Sequence, residues 1–213
     1  MRHFRIFGLA ALAVFAFLAS PSIAATRTKI PAYITAAVDN PNRPDTDKKH
    51  DADRKPAETI AFAGVKSGDH IVELMPGRGY YTKILSKVVG PKGWVYGFFP
   101  SALNDLLKKN NIPVPPPDDP NYPNVSYLDM PLDKLVVPER VDLVWTSQNY
   151  HDVVKIDQAV YDALKPGGIY LVLDHIDPEA VKKEVESAGF KLVAFDPAIR
   201  GHTDQFIFKF TKP

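Results

Sequence analysis

The chain has 213 residues, 45% of them apolar, and no cysteine, so disulfide bonds and thiol chemistry are excluded and a hydrophobic core must stabilise the fold. Its 26 basic residues against 25 acidic ones give a formal net charge of +1, which offers no reason to expect binding to nucleic acid or to an anionic membrane surface. A chain of this length is expected to form one domain.

The first 24 residues have the pattern of a secretory signal peptide. Arg2 and Arg5 make a positive start, residues 6–19 are apolar, and Ser-Ile-Ala at 22–24 is a small-x-small cleavage site. This apolar stretch is shorter than the ~20 residues that span a bilayer, which favours a signal peptide over a membrane anchor. We therefore predict a periplasmic mature domain over 25–213 with no integral membrane segment. Without Arg2 and Arg5, 24 basic residues remain against 25 acidic ones, a formal charge of −1.

Residues 25–63 are predicted to form a lead-in and a helix. The segment 26–55 is polar and interrupted by prolines, so we interpret it as a solvated lead-in. Asp51 or Asp53 would then cap a helix over 56–62 that ends at Gly64.

A strand, a glycine turn and a helix follow. Residues 71–74 form a short apolar run, and 80–89 carry apolar residues at helical spacing. Between them, Gly77 and Gly79 leave backbone N–H groups accessible at the positive end of the helix, which predicts a ligand site. The alternative is that a tight turn between a strand and a helix simply favours glycine.

Strand and helix patterns alternate along the rest of the chain. Strands are predicted over 94–100, 125–128, 141–146, 169–173, 191–195 and 206–210, and helices over 102–109, over 153–164 and after Asp177. Ser101 and Asp177 are the expected helix caps, and Asp152 either caps its helix or belongs to the polar cluster that ends strand four. Lys-Pro-Gly-Gly at 165–168 is expected to stop the second of these helices. Residues 110–123 contain six prolines and predict an extended surface loop or lid.

Several segments resemble class I S-adenosylmethionine-dependent methyltransferases. Val-Glu-Leu-Met-Pro-Gly-Arg-Gly at 72–79 resembles the first motif of that family, and Leu-Lys-Pro-Gly-Gly at 164–168 is similar to the segment before its fifth strand. Asp-Ala-x-Arg-Lys-Pro-x-Glu at 51–58, Asn-Tyr-His-Asp at 149–152 and the segment 195–205 resemble an exported, predicted-methyltransferase family of Gram-negative bacteria. Together with the alternating pattern, the resemblance predicts a single-domain, Rossmann-like α/β fold, doubly wound, with a mostly parallel seven-stranded sheet and an antiparallel last strand.

The resemblance also implies a set of residues that hold S-adenosylmethionine. Glu73 and the turn would bind its methionine part, Phe99 stands where the family has an acid for the ribose, and Asp129 would reach the adenine. Arg54 and Lys55 would meet its carboxylate. The predicted cofactor residues are Glu73, Gly77, Gly79, Phe99, Asp129 and Asn149.

His151 and Tyr150 are the candidate catalytic residues. An imidazole at the end of strand four suits proton acceptance near neutral pH, and Tyr150 would shape the substrate wall. The alternative for His151 is a buried histidine satisfied by hydrogen bonds. Asp174, His175 and Asp177 are candidate metal ligands after strand five, but no metal is expected, because tight sites usually need more ligands.

The predicted function is methyl transfer from S-adenosylmethionine to an unidentified small molecule. The alternative is a non-catalytic periplasmic binding or interaction protein on the same fold, favoured by Phe99 in place of the ribose acid and by the export signal. A nicotinamide oxidoreductase fits less well because the G-x-G-x-x-G spacing is missing. The sequence indicates no particular oligomeric state.

Overall fold

The structure is a computed structural model that describes residues 29–116, 118–153, 155–197 and 204–213. The predicted signal peptide lies outside the described residues. Within these ranges, no helix combines the length and the apolar character needed to cross a membrane.

From residue 56 onward helices and strands alternate, except that β4 follows β3 and β7 follows β6 directly in the order of described elements. The helices are α1 (Ala32–Val38), α2 (Asp45–Lys48), α3 (Asp51–Arg54), α4 (Pro56–Ala63), α5 (Tyr80–Val89), α6 (Ser101–Lys109), α7 (Asp157–Ala163) and α8 (Pro178–Ser187), with 3₁₀ turns at Gly90–Lys92 and Tyr150–Asp152. The strands are β1 (His70–Leu74), β2 (Trp94–Pro100), β3 (Val125–Met130), β4 (Val141–Ser147), β5 (Leu164–Asp174), β6 (Lys191–Asp196) and β7 (Phe206–Thr211).

The seven strands form one sheet in the order β3-β2-β1-β4-β5-β7-β6. Strands β1 to β5 pair in parallel, and β7 runs antiparallel to β5 and β6. The predicted fold class is confirmed. The strand order reverses between β1 and β4, and in open α/β sheets the ligand crevice lies at the carboxyl ends of the strands beside such a reversal.

Helices cover both faces of the sheet. On one face, Ile34 of α1, Ile60 of α4 and Ile84 of α5 pack against apolar side chains of β1, β4 and β5. On the other face, Val160 of α7 and Val185 of α8 pack against the alternate residues of the same strands. Strands buried on both sides explain why the parallel strands read as continuous apolar runs.

The helix after β4 ends at Ala163, directly before the Lys-Pro-Gly-Gly segment as predicted, but two details of this region differ from the expectation. The helix begins at Asp157, and Asp152 lies in a 3₁₀ turn instead of capping it. Strand β5 begins at Leu164, so the Lys-Pro-Gly-Gly segment is part of the strand. The physical reason is pairing with the chain terminus: Gly167 N–H donates to Lys212 O at 2.8 Å, and Lys212 N–H donates to Gly168 O at 3.0 Å.

The lead-in is also more structured than predicted. Ile34 and Ala37 of α1 are buried in the core, and Arg43 is only 2% exposed. Arg43 donates to both carboxylate oxygens of Asp51, at 2.8 and 2.7 Å. Asp51 therefore belongs to an internal ion pair, and the residue before α4 is Lys55 with φ +44° and no side-chain cap.

The remaining local predictions hold with one exception. Gly64, with φ +80°, ends α4, and Asp177 caps α8 by accepting the Glu179 N–H at 3.0 Å. No helix or strand occurs within 110–116 or 118–123, which confirms the irregular proline-rich loop. Ser101, by contrast, is the first residue of α6 and not its cap.

Candidate functional site

The glycine turn joins β1 to α5 at the carboxyl edge of the sheet, as predicted. Met75, Gly77 and Gly79 have φ values of +50°, +57° and +75°, a region that glycine adopts without strain and methionine does not. A Cβ atom added to Gly77 would meet nothing within 4 Å, whereas one on Gly79 would lie 3.3 Å from Pro115 Cγ. The turn is thus open at Gly77 and covered by the proline-rich loop at Gly79.

Glu73 is a carboxyl group buried beneath this turn. Its residue is 4% exposed, and the Thr82 hydroxyl donates to its Oε2 at 2.5 Å. Burial raises the pKa of Glu73 to about 8, against smaller opposing effects of the Thr82 hydrogen bond and of the Lys83 and Arg54 charges. The Glu73 carboxyl is therefore mostly protonated at neutral pH, and a cation that binds beside it would favour its ionised form.

A cavity of about 230 Å³ lies at the ends of β1 and β4. Its lining residues are Asp53, Arg54, Glu73, Met75, Pro76, Tyr80, Tyr81, Ser147, Gln148, Asn149 and Gln205. The Arg54 guanidinium lies 4.4 Å from the centre of the Tyr80 ring, and the Tyr80 hydroxyl donates to Asp51 at 2.6 Å. The ion pair of Arg43 with Asp51 thus holds α3 over the start of α5. Lys55, predicted beside Arg54, does not line this cavity.

A second cavity of about 620 Å³ adjoins the first and shares Met75 with it. It is walled mainly by apolar residues at the ends of β2 and β3, namely Pro100, Ala102, Leu103, Pro131 and Leu132, with Ser101 and Asp152 at its edge. Two neighbouring cavities along the strand ends make one extended crevice.

Phe99 and Asp129, predicted to contact the cofactor, line neither cavity. Phe99 is 5% exposed, and its ring packs 5.9 Å from that of Tyr127. The Asp129 carboxylate faces α6, where it accepts from Asn104 and lies 3.6 Å from Lys108 Nζ. Hydrogen bonds from Ser101 and Asn104 lower the pKa of Asp129. The structure gives these side chains packing and helix-anchoring contacts in place of crevice contacts.

Asn149 links the loop after β4 to the glycine turn. Its Nδ2 donates to Leu74 O at 3.3 Å and to Met75 O at 3.0 Å, and the residue lines the smaller cavity. The structure therefore brings Glu73 and Asn149 together at the smaller cavity, which Met75 and Pro76 of the turn also line, whereas Gly77 and Gly79 line neither cavity.

Tyr150 points away from the crevice, which corrects its assignment as a catalytic residue. Its side chain is fully buried, and its hydroxyl donates to Asp157 Oδ2 at 2.9 Å. Burial also raises the pKa of Asp157 to about 6. The apolar ring packs with Val153 and Ile156 in the core, so this residue holds the loop after β4 in place.

His151 lies beside Tyr150, with its side chain 33% exposed. Its Nδ1 is 3.1 Å from Asp174 Oδ1 and 3.2 Å from Oδ2. Asp174 has no exposed surface, and its carboxylate also accepts the Tyr150 N–H at 2.8 Å and the His175 N–H at 2.7 Å. The end of β5 thus supplies a rigid carboxylate to a histidine on the loop after β4.

A second histidine shares the same carboxylate. His175 Nδ1 lies 3.1 Å from Asp174 Oδ1 and 3.0 Å from Gln148 Oε1, and the two imidazole rings are 5.0 Å apart. Asp177, the third candidate metal ligand from the sequence, is instead the cap of α8. The cluster that the structure assembles is His151, Asp174 and His175.

Sequence reasoning missed two contributions to the site. Gln205 lines the smaller cavity from just before β7, in the segment 195–205 that resembles the exported family. The support of Tyr80 by Arg43 and Asp51 was missed because these residues lie in a polar stretch. Arg43 is buried, but the polar segment around it has no apolar periodicity from which its burial could be predicted.

No family model matches the chain. Among curated proteins, the ubiquinone/menaquinone biosynthesis C-methyltransferase UbiE of Pseudoalteromonas translucida is 29% identical over 146 residues, covering 65% of this chain and 54% of the relative. The protein of the same name from Pseudomonas paraeruginosa is 30% identical over 141 residues, covering 63% and 54%. The chain spans about half the length of the curated relatives it matches.

Solved structures give the same picture of the fold. A SAM-dependent methyltransferase from Aquifex aeolicus superposes with a TM-score of 0.59 at 19% identity, covering 80% of this chain and 99% of that one. The glycopeptide N-methyltransferase MtfA gives 0.58 at 15% identity, covering 76% and 91%. Aeropyrum pernix fibrillarin, solved with natively bound S-adenosyl-L-methionine, gives 0.53 at 19% identity, covering 76% of each chain. With its strand order and its glycine turn at the switch point, this chain has the fold of the SAM-dependent methyltransferases.

Proposed function

We propose that the chain transfers a methyl group from S-adenosylmethionine to a small-molecule acceptor. The observation that carries the proposal is the crevice at the switch point of the sheet, where Met75 and Pro76 of the turn line one cavity together with the buried Glu73, and a second cavity adjoins it at Met75. The similarity to UbiE proteins and the fold shared with methyltransferases support it.

The residues of the crevice fit the cofactor part by part. Backbone N–H groups of the turn, at the positive end of α5, suit the polar methionine end in the smaller cavity. There Glu73 would meet the ammonium group, and Arg54 the carboxylate. The larger, mainly apolar cavity suits the adenosine part. At the end of β2 the residue that lines this cavity is Pro100, so this strand offers no carboxylate to the ribose.

When bound, S-adenosylmethionine supplies an electrophilic methyl group on a sulfonium that is already a good leaving group. The protein must then orient the acceptor and take up the proton that the acceptor loses. Because a carboxylate only accepts hydrogen bonds, Asp174 fixes His151 with its proton on Nδ1. His151 Nε2 is left with a lone pair, 3.5 Å from Asp152 Oδ2, and is our proposed proton acceptor.

The acceptor class to test first comes from the named relatives. Proteins that resemble this chain are named for C-methylation in ubiquinone and menaquinone biosynthesis. We therefore propose quinone precursors as the first acceptors in a methyl-transfer assay with the full chain. We also propose that the domain acts after export, as residues 1–24 predict.

Calorimetric titration of the full chain with S-adenosylhomocysteine tests the cofactor site directly. Gly77→Val should abolish binding, because its side chain would fill the open space above the turn at a positive φ. Gly68→Val is the matched control. Gly68 also has a positive φ, +89°, and open space around its Cβ position, but it precedes β1 at the opposite end of the strand. Equal affinity in both folded variants would place the cofactor elsewhere.

A further inference from the structure

We propose that His151, Asp174 and His175 bind a divalent transition-metal ion, with the side-chain oxygen of Gln148 next to the same position. The inference rests on the geometry of these four side chains and does not depend on the proposed methyl transfer. It departs from the expectation from the sequence that no metal binds, because His151 joins the cluster only in the folded chain.

The ligand atoms converge on one point. Asp174 Oδ1 lies 3.1 Å from Nδ1 of each histidine, and one ligand atom from each of the three residues lies within 4.8 Å of the others. Two ligands bound at about 2.1 Å from a metal in tetrahedral or octahedral geometry are separated by about 3.0 to 3.4 Å. Both carboxylate–imidazole separations match this range. The distance between the two histidine nitrogens can shorten on binding, because these side chains are 33% and 49% exposed and have room to rotate.

The surroundings resemble the outer shell of a metal site. Three backbone N–H groups, those of Tyr150, His151 and His175, hold the buried carboxylate in a fixed orientation. Metal coordination through Nδ1 moves the remaining ring proton to Nε2, which needs an acceptor of its own. For His151 that acceptor is present, because Asp152 Oδ2 lies 3.5 Å from Nε2.

The alternative is that the carboxylate only anchors the two loops. In that case Asp174 Oδ1 accepts from His151 Nδ1 and from the His175 N–H at 2.7 Å, and the one Nδ1 proton of His175 is shared between Asp174 Oδ1 and Gln148 Oε1, at 3.1 and 3.0 Å. Gln148 Oε1, 3.0 Å from His175 Nδ1, adds a further oxygen to the same cluster. The same atoms are also the arrangement that a cation binds, since each ring presents an Nδ1 lone pair beside the two oxygens once its proton moves to Nε2.

The donor set selects the class of ion. Two imidazole nitrogens with a carboxylate and an amide oxygen suit Zn²⁺, Fe²⁺, Co²⁺ or Mn²⁺, whereas Ca²⁺ and Mg²⁺ prefer oxygen ligands throughout. The cluster lies at the carboxyl ends of β4 and β5, and Gln148 lines the smaller cavity. If the methyl-transfer proposal also holds, the ion would bind an acceptor oxygen and lower its pKa. His151 would act as its ligand in that state and as proton acceptor without it.

The test uses the full chain without a polyhistidine tag, stripped with a chelator and then titrated with Co²⁺ and Zn²⁺. We expect one ion per chain by calorimetry and a visible Co²⁺ absorption band typical of mixed nitrogen and oxygen coordination. His175→Gln should weaken binding more than about 100-fold, because even outer-shell partners change affinity by 10- to 100-fold. His70→Gln is the control, since His70 also pairs with a carboxylate, Glu139 Oε1 at 3.0 Å, at the opposite end of the sheet.

Three results would overturn the proposal: no saturable binding at millimolar Co²⁺ or Zn²⁺, binding unchanged in His175→Gln, or equal losses in His175→Gln and His70→Gln. Circular dichroism checks that each variant is folded. Asp174→Asn is not used, because the loss of a backbone-bonded carboxylate would disturb both loops. The metal-free protein, stripped with a chelator, is also titrated with S-adenosylhomocysteine. Because the proposed cofactor site does not include the ion, this titration tests the cofactor proposal separately from the metal proposal.

Discussion

Replacing Glu73 by glutamine should change how the stability of the protein depends on pH. Glu73 is 4% exposed, and burial raises its pKa from 4.5 to about 8. Between these two values the folded protein keeps a proton that the unfolded chain has lost. The free energy of unfolding therefore falls as the pH rises through this window, and the protonated carboxyl contributes its full stability only below pH 4.5.

The size of the effect follows from the shift. One pKa unit corresponds to about 1.4 kcal/mol, so a shift from 4.5 to about 8 amounts to about 5 kcal/mol. Glutamine keeps nearly the same shape and can still meet the Thr82 hydroxyl, but it does not ionise. The stability of Glu73→Gln relative to the parent should thus rise by about 5 kcal/mol between about pH 4 and about pH 9.

Urea unfolding of parent and variant across this pH range measures the difference directly. Glu58→Gln is the matched control, because Glu58 is an exposed residue on α4 and its replacement should leave the curves parallel. Parallel curves for Glu73→Gln would refute the reasoning. If S-adenosylhomocysteine binds as proposed, its ammonium group should also expel about 0.9 proton from Glu73 at pH 7, as a pKa of about 8 requires. Calorimetry in buffers of different ionisation enthalpy would show whether protons are released on binding.

Three further predictions concern other parts of the chain. His151→Gln should lower methyl transfer by about 10²- to 10⁴-fold while S-adenosylhomocysteine affinity and Tm stay unchanged, and full turnover would dismiss His151 as the proton acceptor. Arg43→Ala should cost about 3 to 5 kcal/mol in urea unfolding, because it leaves the Asp51 carboxylate without its buried partner, and a cost below about 1 kcal/mol would show that the pair is dispensable. Intact-mass analysis of exported protein should find a chain that starts at Ala25, whereas a start at Met1 would contradict signal cleavage.

The sequence alone was sufficient for the sheet and for the turn that organises the site. The helix predicted over 80–89 and the strand over 94–100 have the same limits in the structure, since apolar periodicity and glycine stops are properties of consecutive residues. Gly77 was placed correctly because a short turn between a buried strand and a helix has few conformations, and most of them need glycine. Local patterns therefore placed the turn at the carboxyl edge of the sheet, and the fold class followed from these patterns together with the family resemblance.

Contacts between distant residues decided the chemistry of the site. His151 meets Asp174 across 23 positions, and Asn149 reaches Met75 across 74, so no local pattern could reveal either contact. Tyr150 and His151 are neighbours in sequence, yet the 3₁₀ turn buries one and leaves the other at the surface. The raised pKa of Glu73 likewise comes from the packing around it, because the free energy of a charge depends on the water that the whole fold excludes.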